Sequence, residues 1–325
     1  MTAPVAIVIP CYNQAHLLGE ALRSCLDQDP PAAEIIVVDD GSPDDVAGAV
    51  AALGDSTSIR LVRRPNGGLS AARNTGLDAS RSPFLVFLDA DDRLCPAALA
   101  AGLACLAEHP SAAFAFGGYR NMDVEGHYWP KPAVPRPGLT TYLDLLGGNV
   151  VGMHATVMYR REPLVAAGGF DEALWSCEDW DAYLRLAREH EVVAHRHITA
   201  DYRRHAGGMS KSFDRLINAG LVVLERHRPE ADDPPTLHRA WRRGRLQLTG
   251  LNLKRAVVAG LRALGRGDRH EPIAALRTVR RYLPILLAFG AHGFGPKVGS
   301  PERQAWRAPA ATDVALPAGE PRGRI

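Results

Sequence analysis

Apolar runs and helical repeats alternate along the first 92 residues. Val5-Ala6-Ile7-Val8-Ile9 is apolar on both faces of an extended chain, the pattern of a strand buried within a parallel sheet, and Pro10 ends it. After the turn Cys11-Tyr12-Asn13-Gln14, apolar residues recur at Leu17, Leu18, Ala21, Leu22, Cys25 and Leu26, the spacing of one helix face, closed by Pro30-Pro31. A second strand over 34–38 runs into Asp39-Asp40-Gly41-Ser42, followed by a helix over 44–53 that Ser42 or Asp44 can cap. A third strand at 59–62, a helix over 69–79 and a fourth strand at 83–88 complete the alternation. The fold class it predicts is α/β, with a doubly wound, mostly parallel sheet.

Beyond residue 92 the pattern loosens. It predicts a helix near 96–108, a strand at 113–116, a proline-rich loop over 129–137 and a strand at 155–159. Arg160-Arg161-Glu162-Pro163 opens a short helix that Gly168-Gly169 closes, and Trp175-Ser176-Cys177-Glu178-Asp179-Trp180 leads into another that runs to 189. From 215 onward helical spacing dominates, and residues 301–325, rich in Pro, Ala, Gly and Arg, are expected to be disordered.

A chain of 325 residues can form one large domain or two smaller ones. No stretch reaches the roughly 18 uninterrupted apolar residues of a membrane-spanning helix. MTAPVAIVIP has no basic region ahead of its apolar run, so residence in the cytoplasm is expected. Five cysteines without C-x-x-C spacing argue against a disulfide framework and against a zinc site. The net charge of +2 conceals a division: residues 1–210 carry 17 basic and 26 acidic side chains, residues 211–325 carry 21 and 10.

Ligands of open α/β sheets bind beyond the carboxyl ends of the strands, and three strands here end in polar clusters: Cys11-Tyr12-Asn13, Asp39-Asp40-Gly41-Ser42 and Asp89-Ala90-Asp91-Asp92. Three carboxylates crowded at the end of a buried run repel one another, and a divalent cation bound through oxygen is a common remedy. A helix cap near Pro96 would use one of them. A nucleotide accounts for all three clusters. Tyr12 offers a stacking face, Asp39 or Asp40 an acceptor for an imide N–H, and the Asp89 group a metal on a diphosphate. A tight turn with a helix cap is the other use open to Asp39-Asp40-Gly41-Ser42. The G-x-G-x-x-G of a dinucleotide-binding domain is absent after the first strand, as is a Walker-type loop.

Six segments in order resemble glycosyltransferase family 2: VAIVIPCYNQ at 5–14, IIVVDDGSPDD at 35–45, NGGLSAARNTGL at 66–77, FLDADDRLCP at 87–96, GGFDEALWSCEDWDAYLRL at 168–186 and YRRHAGGMS at 202–210. The resemblance implies the GT-A fold and inverting, metal-dependent transfer of a sugar from a nucleotide-diphosphate donor, UDP favoured, to an acceptor hydroxyl. It implies Asp179, in the pair with Glu178, as general base, and Asp91 with Asp92 as the metal-binding end of the D-x-D motif. His205 falls near the diphosphate and metal. Asp89 with Ala90 falls at the donor ribose or sugar, and Pro10, Tyr12, Asn13, Asp39, Asp40, Arg73 and Asn74 at the rest of the donor site. Inversion needs a base and a Lewis acid, and oxygen ligands suit Mg2+ or Mn2+. A sugar-1-phosphate nucleotidyltransferase would carry a glycine-rich basic loop after the first strand, and a non-catalytic nucleotide-sugar binder is the alternative from another class.

The expected boundaries are a GT-A domain over 1–212, a basic helical extension over 213–300 and the tail. Contacts to a glycan, lipid-linked or small-molecule acceptor are expected in the irregular segment 117–155. Within 239–281, basic residues from Arg239 to Arg281 interleave with leucines such as Leu246, Leu253 and Leu261. Since family 2 enzymes often use lipid-linked acceptors, this region is read as a face resting on the cytoplasmic side of an anionic membrane, with residues 282–289 dipping in. A helical cap or a homodimer contact is the alternative. Nucleic-acid binding is set aside because no recognition module is visible.

Overall fold

Residues Val5 to Cys11 are buried on both faces, which places β1 (Ala3–Cys11) inside a sheet rather than at its edge. The computed structural model describes residues 2–53, 59–205, 213–265 and 270–290; the expected tail lies outside the described residues. β1 pairs in parallel with β2 (Ala32–Asp39), β3 (Ile59–Arg63) continues the parallel order beyond β2, and β4 (Phe84–Phe87) flanks β1 on its other side. Between them run α1 (Ala15–Leu26), α2 (Val46–Ala51) and α3 (Leu69–Ala79). α1 buries Leu18, Ala21, Leu22 and Cys25, most of the stripe its periodicity marks. The alternation legible in the sequence is therefore a doubly wound α/β arrangement.

The chain continues through β5 (Arg93–Leu94), α4 (Ala98–Glu108), β6 (Ala112–Met122), β7 (Gly138–Thr140), α5 (Tyr142–Leu146), β8 (Val157–Arg160), α6 (Arg161–Ala166), α7 (Glu178–Glu189) and β9 (Glu191–Arg203). The sheet runs β3-β2-β1-β4-β8-β6-β9-β5, with β7 paired to β9. β8 is antiparallel to both β4 and β6, so the parallel order breaks there.

The 13-residue strand β9 is absent from the sequence-based elements. Its run Val192-Val193-Ala194 is buried, but Arg196 and His197 are exposed and break the pattern. β9 pairs in parallel with β6 through register shifts near Gly117 and Gly118. A Cβ at Gly117 would lie 2.6 Å from both the His195 ring and the His197 carbonyl, so the irregularity needs glycine.

The described residues divide into two compact units, one within 2–142 with 150–205 and the other within 143–149 with 213–290. The first holds the sheet. The second comprises most of α5 with α8 (Phe213–Arg226), α9 (Pro235–Gly265) and α10 (His270–Gly290), around a core of Ile217, Leu221, Leu253 and Tyr282. Tyr282 was expected to point outward with the residues after it. It is 2% exposed, and its hydroxyl donates to the Asp214 carbonyl at 3.4 Å. Arg245 likewise turns inward, ion-paired to Glu225 at 3.1 Å and stacked on Trp241. Among the described residues no helix is long and apolar enough to cross a membrane.

Candidate active site

Beyond β4 the chain turns, the Asp92 N–H donating to the Asp89 carbonyl at 3.0 Å. Leu88, Ala90 and Asp92 are buried, and Asp89 and Asp91 are half-buried. Asp91 Oδ2 lies 2.7 Å from His205 Nε2. Asp92, expected beside Asp91 as a metal ligand, instead faces inward, where its Oδ1 accepts the Arg203 N–H at 2.8 Å. Burial first, then the charges of Asp91 and Asp89, push its carboxyl well above the usual range. Arg203 fastens the same loop, donating to the Asp91 carbonyl at 2.9 Å, the Val124 carbonyl at 2.8 Å and Glu20 Oε2 at 2.6 Å.

Arg73 reaches this loop from α3. It is 2% exposed, and it donates to Asp89 Oδ1 at 2.9 Å and to Glu178 Oε1 at 2.6 Å, joining the end of β4 to the start of α7. Burial opposes its charge, but Asp89, Glu178 and Asp179 outweigh burial and hold the guanidinium ionised. Phe170 covers it, 5.7 Å from ring centre to guanidinium.

Asp179 stands in the first turn of α7, next to that pair. The preceding Cys177 holds φ at 62°, a left-handed conformation that costs a non-glycine residue about 1–2 kcal/mol and sharply redirects the chain. The Asp179 carboxylate accepts the Trp180 N–H at 2.7 Å. Burial, then the charge of Glu178, raises its pKa to about 7, against the pull of Arg73. Asn74, expected at the donor, is engaged elsewhere. Its Oδ1 accepts the Phe170 N–H at 2.9 Å and its Nδ2 donates to the Phe170 carbonyl at 2.8 Å, pinning the turn that leads toward α7.

At the end of β2 every carboxylate oxygen is engaged by the protein. Asp39 is fully buried, accepting the Ser42 N–H at 2.8 Å and Arg63 Nε at 2.8 Å. Asp40 accepts Arg64 Nη1 and the Gly67 N–H, both at 3.0 Å, and the Gly68 N–H at 2.8 Å. These bonds build the turn, while Asp45 caps the helix that follows, accepting the Gly48 N–H at 2.8 Å. Gly41 lies between them at φ +67°, where a Cβ would sit 2.7 Å from the Asn66 nitrogen. Asn13, at φ 54°, donates its N–H to Ser42 Oγ at 2.6 Å; Tyr12 is half-buried, and Pro10 is buried in β1 opposite Val38. Asp44, which the sequence suggested as a cap for the following helix, serves the preceding one, accepting the Ala15 N–H at 2.7 Å. The strand ends share one electrostatic neighbourhood: burial, then Asp44, Asp39 and Asp91, raise the Cys11 thiol to about 12.

The glycosyl transferase family 2 model matches residues 6–166. An uncharacterized protein of Mycobacterium tuberculosis is 32% identical over 240 residues, which span 69% of this chain and 73% of that protein. The chain belongs to glycosyl transferase family 2. Solved structures share its GT-A fold. Staphylococcus aureus TarS residues 1–349, in complex with UDP-GlcNAc, has a TM-score of 0.56 at 18% identity, covering 88% of this chain and 92% of TarS 1–349. The mannosyltransferase PcManGT of Pyrobaculum calidifontis, in complex with GDP-Man and Mn2+, has a TM-score of 0.58 at 20% identity, covering 90% and 83%.

For a family 2 chain, the donors at Asp91 and His205 fit a divalent cation. A carboxylate and an imidazole face each other at 2.7 Å, with no thiolate between them. Burial and the neighbouring Asp89 raise the Asp91 carboxyl, marking negative charge that a cation would relieve. Asp123, Glu125 and His127 also gather their ligand atoms within 4.8 Å of one another, on an exposed turn after β6. A cleft of about 270 Å³ lined by Glu20, Arg23, Asp27 and Arg93 holds none of the expected site residues. Sequence reasoning missed Arg203, although it lies within the YRRH segment. His154 packs among Phe87, Phe170 and Tyr159, its Nε2 2.9 Å from the Tyr159 hydroxyl. Burial, then the charge of Arg73, keeps that imidazole neutral.

Proposed function

We propose that residues 1–212 transfer a sugar from a nucleotide-diphosphate donor, UDP favoured, to an acceptor hydroxyl with inversion, and that residues 213–300 form a helical extension. The observation that carries this reading is Asp179, a carboxylate raised to about 7 and set beside an Arg73 already paired to Glu178 and Asp89. A base near neutrality accepts the acceptor proton as the new glycosidic bond forms and the donor bond breaks. One displacement with Asp179 as base, not nucleophile, inverts the anomeric carbon. Arg73 fixes Glu178 and Asp89 on either side of that step. Asp91 and His205 would hold Mg2+ or Mn2+, which when bound offsets charge on the departing diphosphate.

The likeness to TarS, solved with UDP-GlcNAc, supports UDP, and the likeness to PcManGT, solved with GDP-Man and Mn2+, supports the cation. Acceptors in this reading are a growing surface polysaccharide, a lipid-linked sugar or a small molecule, met in the cytoplasm. The test is a thermal-shift screen of nucleotide sugars with and without Mn2+ or Mg2+, followed by transfer assays with the hit. Metal-dependent stabilisation by one donor class, with turnover lost and donor binding kept in Asp179→Asn, is the expected result. Turnover that survives the substitution overturns Asp179 as base.

A further inference from the structure

The second unit presents apolar side chains that its core does not use. In the second half of α9, Leu251, Val257, Val258, Leu261 and Leu264 are 38–63% exposed. At 3.6 residues per turn they fall on one arc, opposite the buried Leu253, Ala256, Gly260 and Ala263. The first half of α9 instead exposes Arg239, Arg243 and Gln247. In α10, Ile273, Leu276, Leu283 and Leu287 are 39–69% exposed and share the arc opposite Thr278 and Tyr282. Isolated exposed leucines are ordinary; two helix faces of them are not.

The charge around these faces has one sign. Residues 251–290 contain eight Lys and Arg against two acidic residues. Lys254, Arg255 and Arg262 are exposed on α9, and Arg277, Arg280 and Arg281 on α10. A second copy of the chain would set these cations against their own kind. An anionic bilayer surface meets both features, since its phosphates take the guanidinium groups and its head-group boundary takes the leucines.

We propose that the exposed faces of α9 and α10 dock on an anionic lipid surface. This docking goes beyond glycosyl transfer and does not depend on it. The test is sedimentation of the full chain with vesicles of phosphatidylcholine alone or with about one-third phosphatidylglycerol, at low and high salt. Binding is expected to be about tenfold or more tighter to the anionic vesicles, and to weaken by a similar factor at high salt. Leu261→Ser with Leu276→Ser, and separately Arg277→Gln with Arg280→Gln, each weaken it about tenfold with the melting temperature unchanged, since all four side chains are exposed. Equal affinity for both vesicles, or none for either, overturns the proposal. So does light scattering that finds a dimer which the leucine pair dissociates, for then a second copy covers these faces. Should a variant unfold, the lipid and salt dependence of the unaltered chain decides alone.

Discussion

The ends of β2 and β4 carry similar acidic clusters, Asp39-Asp40-Gly41-Ser42 and Asp89-Ala90-Asp91-Asp92, and put them to different uses. At β2 the carboxylates meet backbone N–H groups and arginines, and they build the turn and the entry to α3. At β4 the turn leaves Asp89 and Asp91 half-buried, Asp89 against the Arg73 side chain and Asp91 against the His205 ring. Burial raises both Asp40 and Asp91. Asp40 has two N–H donors and Arg64 to offset that, whereas Asp91 has His205 against the further repulsion of Asp89. Counting acids does not distinguish construction from chemistry; counting the donors that arrive with them does.

The largest expected effect tests whether Asp179 belongs with the chemical group. Asp179→Asn should lower turnover about a thousandfold, within the range of a lost general base, while donor affinity by calorimetry changes little. Near-normal turnover would return Asp179 to the structural acids. Asp91→Asn should follow, with turnover down about a hundredfold, weaker Mn2+ binding in a metal titration and an unchanged or slightly higher melting temperature. An early-melting Asp91→Asn would show that its contact with His205 holds the fold, and the contrast with β2 would fail.

The parts of this site that were legible from sequence are those carried by short-range pattern. Strand ends followed from apolar runs that stop at polar clusters, and α3 spans the expected 69–79. Pairing across long sequence distances was not legible. Nothing near Asp92 reveals that its partner is the Arg203 backbone, 111 residues on, or that Asn74 is matched to Phe170, 96 residues on. β9 was hidden for a related reason, since its hydrophobic code is interrupted where glycines in β6 let the register shift. Local composition records which groups are present, and tertiary pairing decides which of them remain available.

Asp40→Ala sharpens the comparison from the structural side. It leaves the Gly67 and Gly68 N–H groups and Arg64 without their acceptor, and should cost about 2–3 kcal/mol of stability, read as a lowered urea midpoint. Turnover per folded molecule should fall less than in Asp91→Asn. A stable Asp40→Ala with turnover abolished would mean that Asp40 acts on the donor after all, and that the two strand ends do the same work.

The smallest effect separates the two kinds of acid by its sign. In the unfolded chain Asp179 ionises near pH 4, and in the fold near 7, so folding favours its protonated form. Its stabilising contribution is complete below about pH 4, falls away between about 4 and 7, and is gone above that. Relative to Asp179→Asn, the unaltered chain should therefore lose stability across this window, read as a lowered urea midpoint. Turnover should run the other way, rising to a plateau above about pH 7 as the base ionises. Stability that falls as activity rises over the same interval identifies a carboxyl whose burial serves its chemistry. Parallel profiles would place Asp179 with the acids that only hold the chain together.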